Sequence, residues 1–403
     1  MMNMMNIIVA GASFPCGVGE LGNVAMKHGF TPTFIDHPRN AALTDAGLLP
    51  LRFEPELPVD LALGSGLFLP LLESWVSEGR NLPERARLRF DKRAATISRS
   101  KQALSATLAA AGITHVRRFR VATVEEALLA TSECTYPVIL RSDTGYSGRG
   151  IWVAHSAEEL RRCWASQATE RAGRDYVEMR SVLDSDDDVN IIEPWLPGAE
   201  WSIDCIVGPA GTYLIRVCEK VTAIMAGKPV TLGYRIVDDV ELLGEMRQAA
   251  HRWCRAMFHS DVVSFACFDT RRHSNGDLVP LDFGVRLGGD CIPFLVRHAG
   301  RGMNPYAAAL DAALTGDPRR LVSLSAGPAL VHAFARQPGT FASLSVLDRG
   351  NVIDSRPVGF VVEQAEGMPV HRRVGTVLTC FSTHDEFCYA CRTSSDWIRV
   401  NLG

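Results

Sequence analysis

A cation followed by a glycine-rich loop is the feature of this chain that most clearly predicts chemistry. The short apolar run Val138–Leu140 ends in Arg141, and Gly145, Gly148 and Gly150 follow before the next apolar run. Glycine lets backbone N–H groups approach an anion closely, and the adjoining guanidinium adds positive charge. Two apolar runs around so short a loop predict a β-hairpin whose tip can close over an anion. An ordinary glycine-rich hairpin is the alternative.

Carboxylates downstream could complete such a site. Asp269 ends one apolar run, the polar turn His273–Asp277 follows, and Asp282 lies in the next run. These segments predict adjacent antiparallel strands that place both carboxylates side by side. Hard oxygen ligands of this kind suit Mg²⁺ that is held partly by phosphate groups. Arg286 lies just beyond, where a guanidinium could steady a transferring phosphoryl group.

Two glutamates lie between these features. Glu193 ends an apolar run, a short proline-bounded segment follows, and Glu200 opens the next predicted strand. Over residues 98–314, the order of these blocks resembles the ATP-grasp superfamily, and within it the carboxylate–amine (amino-acid) ligases. Lys101, which precedes a predicted helix ending in Ala111–Ile113, is similar to the first block of that family.

The resemblance implies a role for each matching residue. ATP would be bound by Lys101, Arg141, Gly145, Ser147, Gly148, Gly150, Glu193, Trp195, Leu196 and Glu200. Mg²⁺, or alternatively Mn²⁺, would be held by Asp269 and Asp282, and the catalytic residues would be Arg286, Asp282 and Arg141. Candidate substrate contacts are Gly288, Gly289 and Arg297. The Arg297 guanidinium could pair with a carboxylate, and a surface or helix-dipole role is the alternative.

Two positions depart from the family pattern. Arg141 stands where the family usually has lysine, although either cation can meet a phosphate. The last block of the family usually reads Glu-x-Asn-x-Arg, whereas this chain has Asp282, Gly284 and Arg286 at those positions. The sequence therefore leaves the number of metal ions open.

The chemistry that the resemblance implies is ATP-dependent ligation. The γ-phosphate would pass to a substrate carboxylate, and an amine would attack the acylphosphate to give an amide or peptide bond, ADP and phosphate. The expected partners are small-molecule carboxylate and amine substrates, and the expected assembly is a homodimer. One alternative is another ATP-grasp reaction, such as carboxylation or ligation to a non-amine acceptor. The other is a nucleotide- or nicotinamide-binding protein without ligase activity.

Composition and charge narrow the class of protein. A net charge of −3 and a pI near 6.4 predict no basic surface for nucleic acid. No apolar run reaches the roughly 18–20 residues that cross a bilayer. The N-terminal run Asn6–Ala10 lacks the basic start and longer apolar core of a signal peptide. The 11 scattered cysteines show no disulfide framework, which predicts a reduced, cytoplasmic protein.

The pattern of elements predicts an α/β protein, α+β in its core, with an ATP-grasp fold. The predicted domains are a Rossmann-like domain (1–95), a nucleotide-binding subdomain (96–192), a metal-binding and catalytic subdomain (193–325) and a small β-rich C-terminal domain (326–403). Within the first domain, the apolar runs predict a strand at Asp60–Leu63 and a helix near Leu67–Val76.

Three weaker patterns have competing interpretations. Gly17–Gly22 fits the dinucleotide fingerprint, with Asp36 where a ribose-binding acid would lie, but it begins too far beyond the preceding strand. Ser185–Asp188 could be a metal cluster, although a solvated loop is favoured. A zinc site is weighed against packing of a helix face, which is favoured, for Cys380, His384, Cys388 and Cys391.

Overall fold

The structure, a computed structural model, describes most of the chain. The described residues are 5–11, 15–38, 40, 51–83, 85–144, 150–172, 189–225, 227–259, 261–335, 337–347, 350–355, 358, 361–362 and 372–402. Three residues of the predicted phosphate loop (Gly145, Ser147 and Gly148) and the segment Ser185–Asp188 lie outside these ranges.

Strands and helices alternate at first, and strands predominate later. The strands are β1 (Met5–Ala10), β2 (Phe30–Asp36), β3 (Leu51–Phe53), β4 (Gly66–Pro70), β5 (Leu88–Arg89), β6 (Phe119–Val121), β7 (Val138–Ser142), β8 (Trp152–Ala154), β9 (Asn190–Pro194), β10 (Glu200–Gly208), β11 (Gly211–Met225), β12 (Lys228–Ile236), β13 (Ser264–Arg272), β14 (Leu278–Gly284), β15 (Pro328–Ala335), β16 (Gly339–Val346), β17 (Asn351–Ser355), β18 (Val361–Val362), β19 (Arg372–Cys380) and β20 (Ile398–Leu402). The helices are α1 (Val18–Lys27), α2 (Val59–Ala62), α3 (Glu73–Arg80), α4 (Lys92–Arg99), α5 (Lys101–Ala110), α6 (Val124–Ala130), α7 (Ala157–Ala172), α8 (Val240–Met257), α9 (Ile292–Ala299), α10 (Pro305–Thr315), α11 (His384–Arg392) and α12 (Ser394–Trp397). Within the described ranges, no helix is both long and apolar enough to cross a membrane.

The N-terminal part forms a parallel sheet of five strands in the order β3-β2-β1-β4-β5. The central strand β1 contains Ile7 and Ile8, which are both fully buried. Burial of successive residues is expected of a parallel strand that is covered on both faces. The parallel strands and their connecting helices confirm the predicted Rossmann-like arrangement of this part of the chain.

Two elements predicted in this region are wrong. Most of the segment Asp60–Leu63, predicted as a strand, belongs to helix α2, which ends at Ala62. The segment Leu67–Val76, predicted as a helix, contains most of β4 and only the start of α3. All five residues of β4 are buried, and the strand lies between β1 and β5. A short apolar run cannot be assigned from periodicity alone, and here pairing with β1 decides its conformation.

An antiparallel sheet of eight strands forms the centre of the protein, in the order β14-β13-β10-β11-β12-β15-β19-β17. Its two faces differ because side chains alternate along each strand. On β10, Trp201 and Ile203 pack into the hydrophobic cluster that includes helix α8. The intervening residues Glu200, Ser202 and Asp204 belong to the opposite face. We call this opposite face the polar face of the central sheet.

A smaller antiparallel sheet, β6-β9-β7-β8, carries the glycine-rich hairpin. Strand β7 pairs with β8, so that Leu140 lies opposite Trp152, which confirms the predicted hairpin. On its other side β7 pairs with β9, where Ile139 lies opposite Glu193. This pairing brings Arg141 close to Glu193.

The C-terminal part is β-rich, as predicted, and its strands continue the central sheet. Strand β15 pairs with β12, β19 pairs with β15, and β17 pairs with β19. A separate three-stranded sheet has the order β18-β16-β20. Thr383 caps α11, because its side chain accepts a hydrogen bond from the Glu386 N–H in the first turn. Because β19 belongs to the same sheet, one face of β19 continues the polar face.

Replacing Trp253 by alanine should destabilise the protein strongly. Trp253 of α8 is fully buried, and its ring centroid lies 5.2 Å from that of Phe268. Truncation removes apolar contacts and leaves a cavity, so we expect a loss of about 3–5 kcal/mol in the free energy of unfolding, measured by urea denaturation. The control is Val240→Ala on the same helix, where the side chain is 84% exposed. A loss for Trp253→Ala no larger than that of the control would refute this packing.

Candidate active site

One cavity of about 510 Å³ gathers most of the residues predicted for the site. It is lined by the polar face of the central sheet, by the hairpin sheet and by the first turn of α5. The predicted residues that line it are Lys101, Arg141, Glu193, Trp195, Leu196, Glu200, Asp269, Asp282, Arg286, Gly288 and Gly289. Residues far apart in the sequence therefore meet in one space.

Asp269 and Asp282 lie directly opposite each other on β13 and β14, as the antiparallel arrangement predicts. Their side chains are 35% and 34% exposed and line the cavity. Asp269 Oδ2 lies 3.0 Å from Lys220 Nζ, and the two Asp282 oxygens lie 3.5 Å from Lys101 Nζ and Arg141 Nη2. Burial alone would raise the pKa of Asp282, but the charges of Lys101 and Arg141 outweigh it and hold this pKa below its usual value. Asp282 is therefore ionised at neutral pH.

The chemistry of this pair fits Mg²⁺. Two carboxylates on neighbouring strands offer hard oxygen ligands to one space, and Mg²⁺ usually completes its coordination with phosphate oxygens and water. Among the residues that the structure describes, no group of three or more His, Cys, Asp and Glu side chains is arranged to hold a metal ion. A metal ion at Asp269 and Asp282 would therefore complete its coordination with ligands such as phosphate oxygens and water.

Packing explains the glycine at position 284, where the family usually has asparagine. Gly284 lies opposite Cys267 on the neighbouring strand. A Cβ atom at this position would come within 2.8 Å of Cys267 Sγ. An asparagine would therefore require Cys267 to move. The chain therefore has glycine in place of the asparagine of the family at a position where the Cys267 side chain lies against the backbone.

Lys101 is held by the link between α5 and β7. Ser100 caps α5 and donates from Oγ to Asp143 Oδ2 at 2.6 Å. Asp143 Oδ1 accepts a hydrogen bond from the Gln102 N–H at 2.9 Å. Because Asp143 directly follows β7, these contacts fix the helix that carries Lys101 to the strand that carries Arg141. Burial lowers the pKa of Lys101, and the charge of Asp282 opposes that shift.

Arg118 is a buried cation that orients Glu193. Its Nε donates to Glu193 Oε2 at 2.6 Å, and its two terminal nitrogens donate to the carbonyls of Lys101 and Leu281. Glu193 Oε1 lies 3.4 Å from Arg141 Nη1. Burial would raise the pKa of Glu193, but the two guanidinium charges lower it. Both carboxylate oxygens are thus engaged, and the Glu193 side chain positions Arg141.

Glu200 is held between cations on both neighbouring strands. Its Oε1 lies 2.6 Å from Lys220 Nζ, and its Oε2 accepts a hydrogen bond from Arg271 Nη2 at 2.7 Å. The Arg271 guanidinium also lies over the Trp195 ring, 4.2 Å from its centroid. Since Lys220 contacts Asp269 as well, these pairs connect the Trp195 side of the cavity to the carboxylate pair.

Arg286 is oriented by a carboxylate from the N-terminal part of the chain. Glu73, the first residue of α3, accepts a hydrogen bond from Arg286 Nε at 2.8 Å. Its other oxygen lies 3.6 Å from Arg99 Nη1. Arg286 also donates from Nη1 to the Leu287 carbonyl at 2.6 Å. All three charged side chains line the cavity, where two guanidinium groups flank one carboxylate.

Gly288 passes close to a fully buried ion pair. Arg216 donates from Nε and Nη2 to the two oxygens of Asp204, at 2.8 and 2.9 Å. Asp204 Oδ1 also accepts a hydrogen bond from the Gly288 N–H at 2.9 Å. A Cβ atom at position 288 would come within 2.3 Å of Arg216 Nη2. The buried pair therefore fixes the backbone of Gly288 and Gly289 at the cavity wall, and position 288 has no room for a side chain.

Arg297 is a predicted substrate contact that does not line this cavity. It lies on α9 with 44% of its side chain exposed, and its Nη2 is 3.9 Å from Glu20 Oε1. This position matches the surface role given as its alternative. Of the predicted loop glycines, Gly150 is described, and its carbonyl accepts a hydrogen bond from Gln167 Nε2 at 2.8 Å.

Two of the weaker sequence patterns fall on described residues, and neither contributes to the lining of the cavity. A Cβ atom at Gly17 would meet Asn304 Nδ2 at 2.3 Å, so the start of α1 packs against the protein where a dinucleotide would need open space. In the cluster weighed as a zinc site, His384 pairs with Glu219 at 2.8 Å, and its Nε2 lies 3.4 Å from Cys388 Sγ. Cys391 is buried in the apolar cluster of the C-terminal part.

Several charged residues of the site were not found from the sequence. Lys220 could have been found, because side chains alternate along a strand and this places Lys220 on the same face of β11 as Arg216. Arg271 could have been found in the same way, two residues after Asp269. Others, among them Glu73, Arg118 and Asp143, act through contacts between residues distant in sequence, which spacing does not reveal.

Asp282→Asn should destabilise the protein more than Asp269→Asn. Asp282 is the carboxylate next to both Lys101 and Arg141, whereas Lys220 keeps Glu200 when Asp269 is neutralised. We expect a difference of about 0.5–1.5 kcal/mol in the free energy of unfolding, the scale of a hydrogen bond or partly exposed ion pair. Guanidinium would screen charges, so urea denaturation is the measurement. The reverse order of stability would contradict the assigned ion pairs.

The sequence and the structure of this chain were compared with those of known proteins. Residues 100–185 match the family described as carbamoyl-phosphate synthase L chain, ATP binding domain. The comparison with curated proteins finds no match. An L-amino acid ligase from Bacillus licheniformis is similar in structure, with 14% identity, a TM-score of 0.67 and 99% of each chain covered.

Two further solved structures are similar to this chain over nearly its whole length. N5-carboxyaminoimidazole ribonucleotide synthetase from Thermotoga maritima is 13% identical, with a TM-score of 0.62 over 99% of this chain and 100% of that one. The biotin carboxylase domain of 2-oxoglutarate carboxylase from Hydrogenobacter thermophilus, solved with MgADP and bicarbonate, is 12% identical, with a TM-score of 0.61 over 98% and 90%.

At these identities the likeness concerns the fold. It extends over nearly the whole of each chain, well beyond the segment that matches the family. The fold predicted from the sequence is thereby confirmed: this chain has the ATP-grasp fold.

Proposed function

We propose that this protein is an ATP-dependent carboxylate–amine ligase. The observation that carries the proposal is the opposed pair Asp269 and Asp282, which faces the same cavity as Lys101, Arg141 and Arg286. Carboxylates that can hold Mg²⁺, next to cations that can hold phosphates, form the arrangement that phosphoryl transfer needs. The active-site roles given below are part of the same proposal.

ATP would lie between the hairpin sheet and the polar face. Lys101 and Arg141 would contact its phosphates, together with the loop residues Gly145, Ser147, Gly148 and Gly150. The segment from Glu193 to Leu196 and the side chain of Glu200 would surround adenosine. Asp269 and Asp282 would hold Mg²⁺, which when bound neutralises phosphate charge. Mn²⁺ could take the same place, because its preferred ligands are similar.

The proposed reaction has two steps. A carboxylate oxygen attacks the γ-phosphorus, the bond from phosphorus to the bridging oxygen breaks, and ADP leaves with the electron pair. The amine nitrogen then attacks the acyl carbon, a C–N bond forms, and the C–O bond breaks to release phosphate. Of the two protons that the ammonium loses, phosphate carries one and solvent takes the other.

The chain assists these steps mainly by position and charge. Arg286, held by Glu73, presents its guanidinium to the developing negative charge of the phosphoryl group and the tetrahedral intermediate. The backbone of Gly288 and Gly289 lies at the same wall, where the buried pair of Asp204 and Arg216 fixes it. Groups that do not move during reaction need no reorganisation as charge develops.

Several broader expectations belong to this proposal. The domain boundaries near residues 95, 192 and 325, a cytoplasmic location and a homodimeric assembly remain predictions from the sequence. Small-molecule carboxylates and amines are the proposed substrates. The second candidate function is carboxylation, because a biotin carboxylase domain shares this fold.

Wild-type protein with ATP and Mg²⁺ should form ADP and phosphate with pooled amino acids, which supply both a carboxylate and an amine, and should form none with amines that lack a carboxylate when no acid is added. Product masses identify the amide, and chromatography distinguishes ADP from AMP. Asp269→Asn is the matched inactive control and should lose at least about 100-fold in kcat, because phosphate charge is no longer neutralised. Formation of AMP would rule out the acylphosphate route. ADP formation that depends on bicarbonate and not on an amine would support carboxylation instead.

A further inference from the structure

A second charged pair lines the cavity, apart from the residues assigned to ATP and the metal ion. Arg373 of β19 donates from Nη1 to Asp290 Oδ1 at 2.8 Å. Tyr234 of β12 donates from Oη to Asp290 Oδ2 at 2.9 Å. The Arg373 and Asp290 side chains remain 33% and 37% exposed, and both line the cavity. The cavity wall thus presents a cation and an anion in contact with each other.

The backbone is shaped to present Asp290. Asp290 and the next residue, Cys291, have φ angles of 57° and 64°, which residues other than glycine rarely adopt. They follow Gly288 and Gly289 directly, at the wall fixed by the buried ion pair. Backbone strain of this kind persists only where the surrounding contacts enforce it. The two hydrogen bonds to the Asp290 carboxylate are such contacts.

This pair adjoins the place where the acylphosphate would form. Tyr234 lies directly opposite Lys220 on the neighbouring strand, and Lys220 contacts Asp269. Apolar side chains beside the pair include Ile292 and Phe334, which also line the cavity. A ligand held by the pair could therefore reach the carboxylate pair within the same cavity.

Opposite charges in contact match a ligand that carries both charges on one carbon. An α-amino acid has its ammonium and carboxylate groups on the same carbon, so both can meet the pair at once. A guanidinium can bind a second carboxylate while it donates to Asp290, because its N–H groups form a planar fork with several donors. The Asp290 oxygens, which have further lone pairs, can accept from an ammonium.

We propose that Asp290 and Arg373, positioned by Tyr234, form the subsite for the amine substrate and that this substrate is an α-amino acid. Arg373 binds its free carboxylate, and Asp290 binds its ammonium. This inference rests on the proposed function where it takes the bound amino acid to be the amine substrate. Binding of the amino acid itself can be measured without turnover.

The test is thermal stabilisation by single amino acids in the presence of MgADP, compared with the α-amide of each amino acid. At least one amino acid should stabilise the wild type, and its amide should bind about 10- to 100-fold more weakly, the scale of charge-assisted hydrogen bonds. Arg373→Gln should remove this preference. Arg373→Lys keeps a partner for Asp290 and should show a reduced preference, which guards against misfolding of the glutamine variant. The matched control is Arg272→Gln, an arginine paired with Glu245 outside the cavity lining, which should bind as the wild type does.

The outcomes separate this inference from the proposed function. A wild type that binds no amino acid, or that binds acid and amide equally, overturns the subsite. So does an unchanged preference in both Arg373 variants. Amino-acid binding that depends on Arg373, in a protein that forms no ADP with any acid and amine, supports the subsite and overturns the ligase proposal. ADP formation with amines that lack a carboxylate, at the same rate as with amino acids, supports the ligase and overturns the subsite.

Discussion

Mutual neutralisation of charges inside one cavity is the constraint on which the rest of this structure depends. Asp269, Asp282 and Glu200 share their surroundings with Lys101, Lys220 and Arg141, and each carboxylate lies within 3.5 Å of a cation from another element. An unpaired charge in such a place would be costly to desolvate. The elements that carry these side chains must therefore meet in one arrangement, and that arrangement leaves cations and carboxylates facing the cavity that is proposed to bind MgATP.

The sheet and two buried arginines supply the framework for this balance. Alternation along β10 gives one face to Trp201 and Ile203 and the other to Glu200. Arg118 joins α5, β9 and the residue before Asp282 through its several donors, and Arg216 fixes Gly288 by way of Asp204. In the proposed complex, Asp269 and Asp282 would hold Mg²⁺ and Lys101 and Arg141 would hold the phosphates, so that one set of ion pairs would replace another.

Local patterns in the sequence predicted most of the fold and those parts of the site whose residues are close together in the sequence. The opposed aspartates followed from two apolar runs around a polar turn, and the hairpin followed from short runs around glycines. The elements at Asp60–Leu63 and Leu67–Val76 were wrong, because short apolar runs carry no periodicity and pairing with β1 decides between strand and helix. Arg118, Glu73 and the Asp290–Arg373 pair were missed because their partners are distant in sequence. Arg297 had the right chemistry but lies on the exposed side of α9.

The most direct test of this account is the affinity of the wild type for ATP, measured by titration calorimetry in Mg²⁺ and in EDTA. If Mg²⁺ must release Asp269 and Asp282 from their cations before the phosphates can bind, affinity should fall at least about tenfold in EDTA, or about 1.4 kcal/mol. The Asp269→Asn variant should show a smaller dependence on Mg²⁺ than the wild type. Equal affinity for ATP with and without Mg²⁺ in the wild type would contradict the exchange of ion pairs.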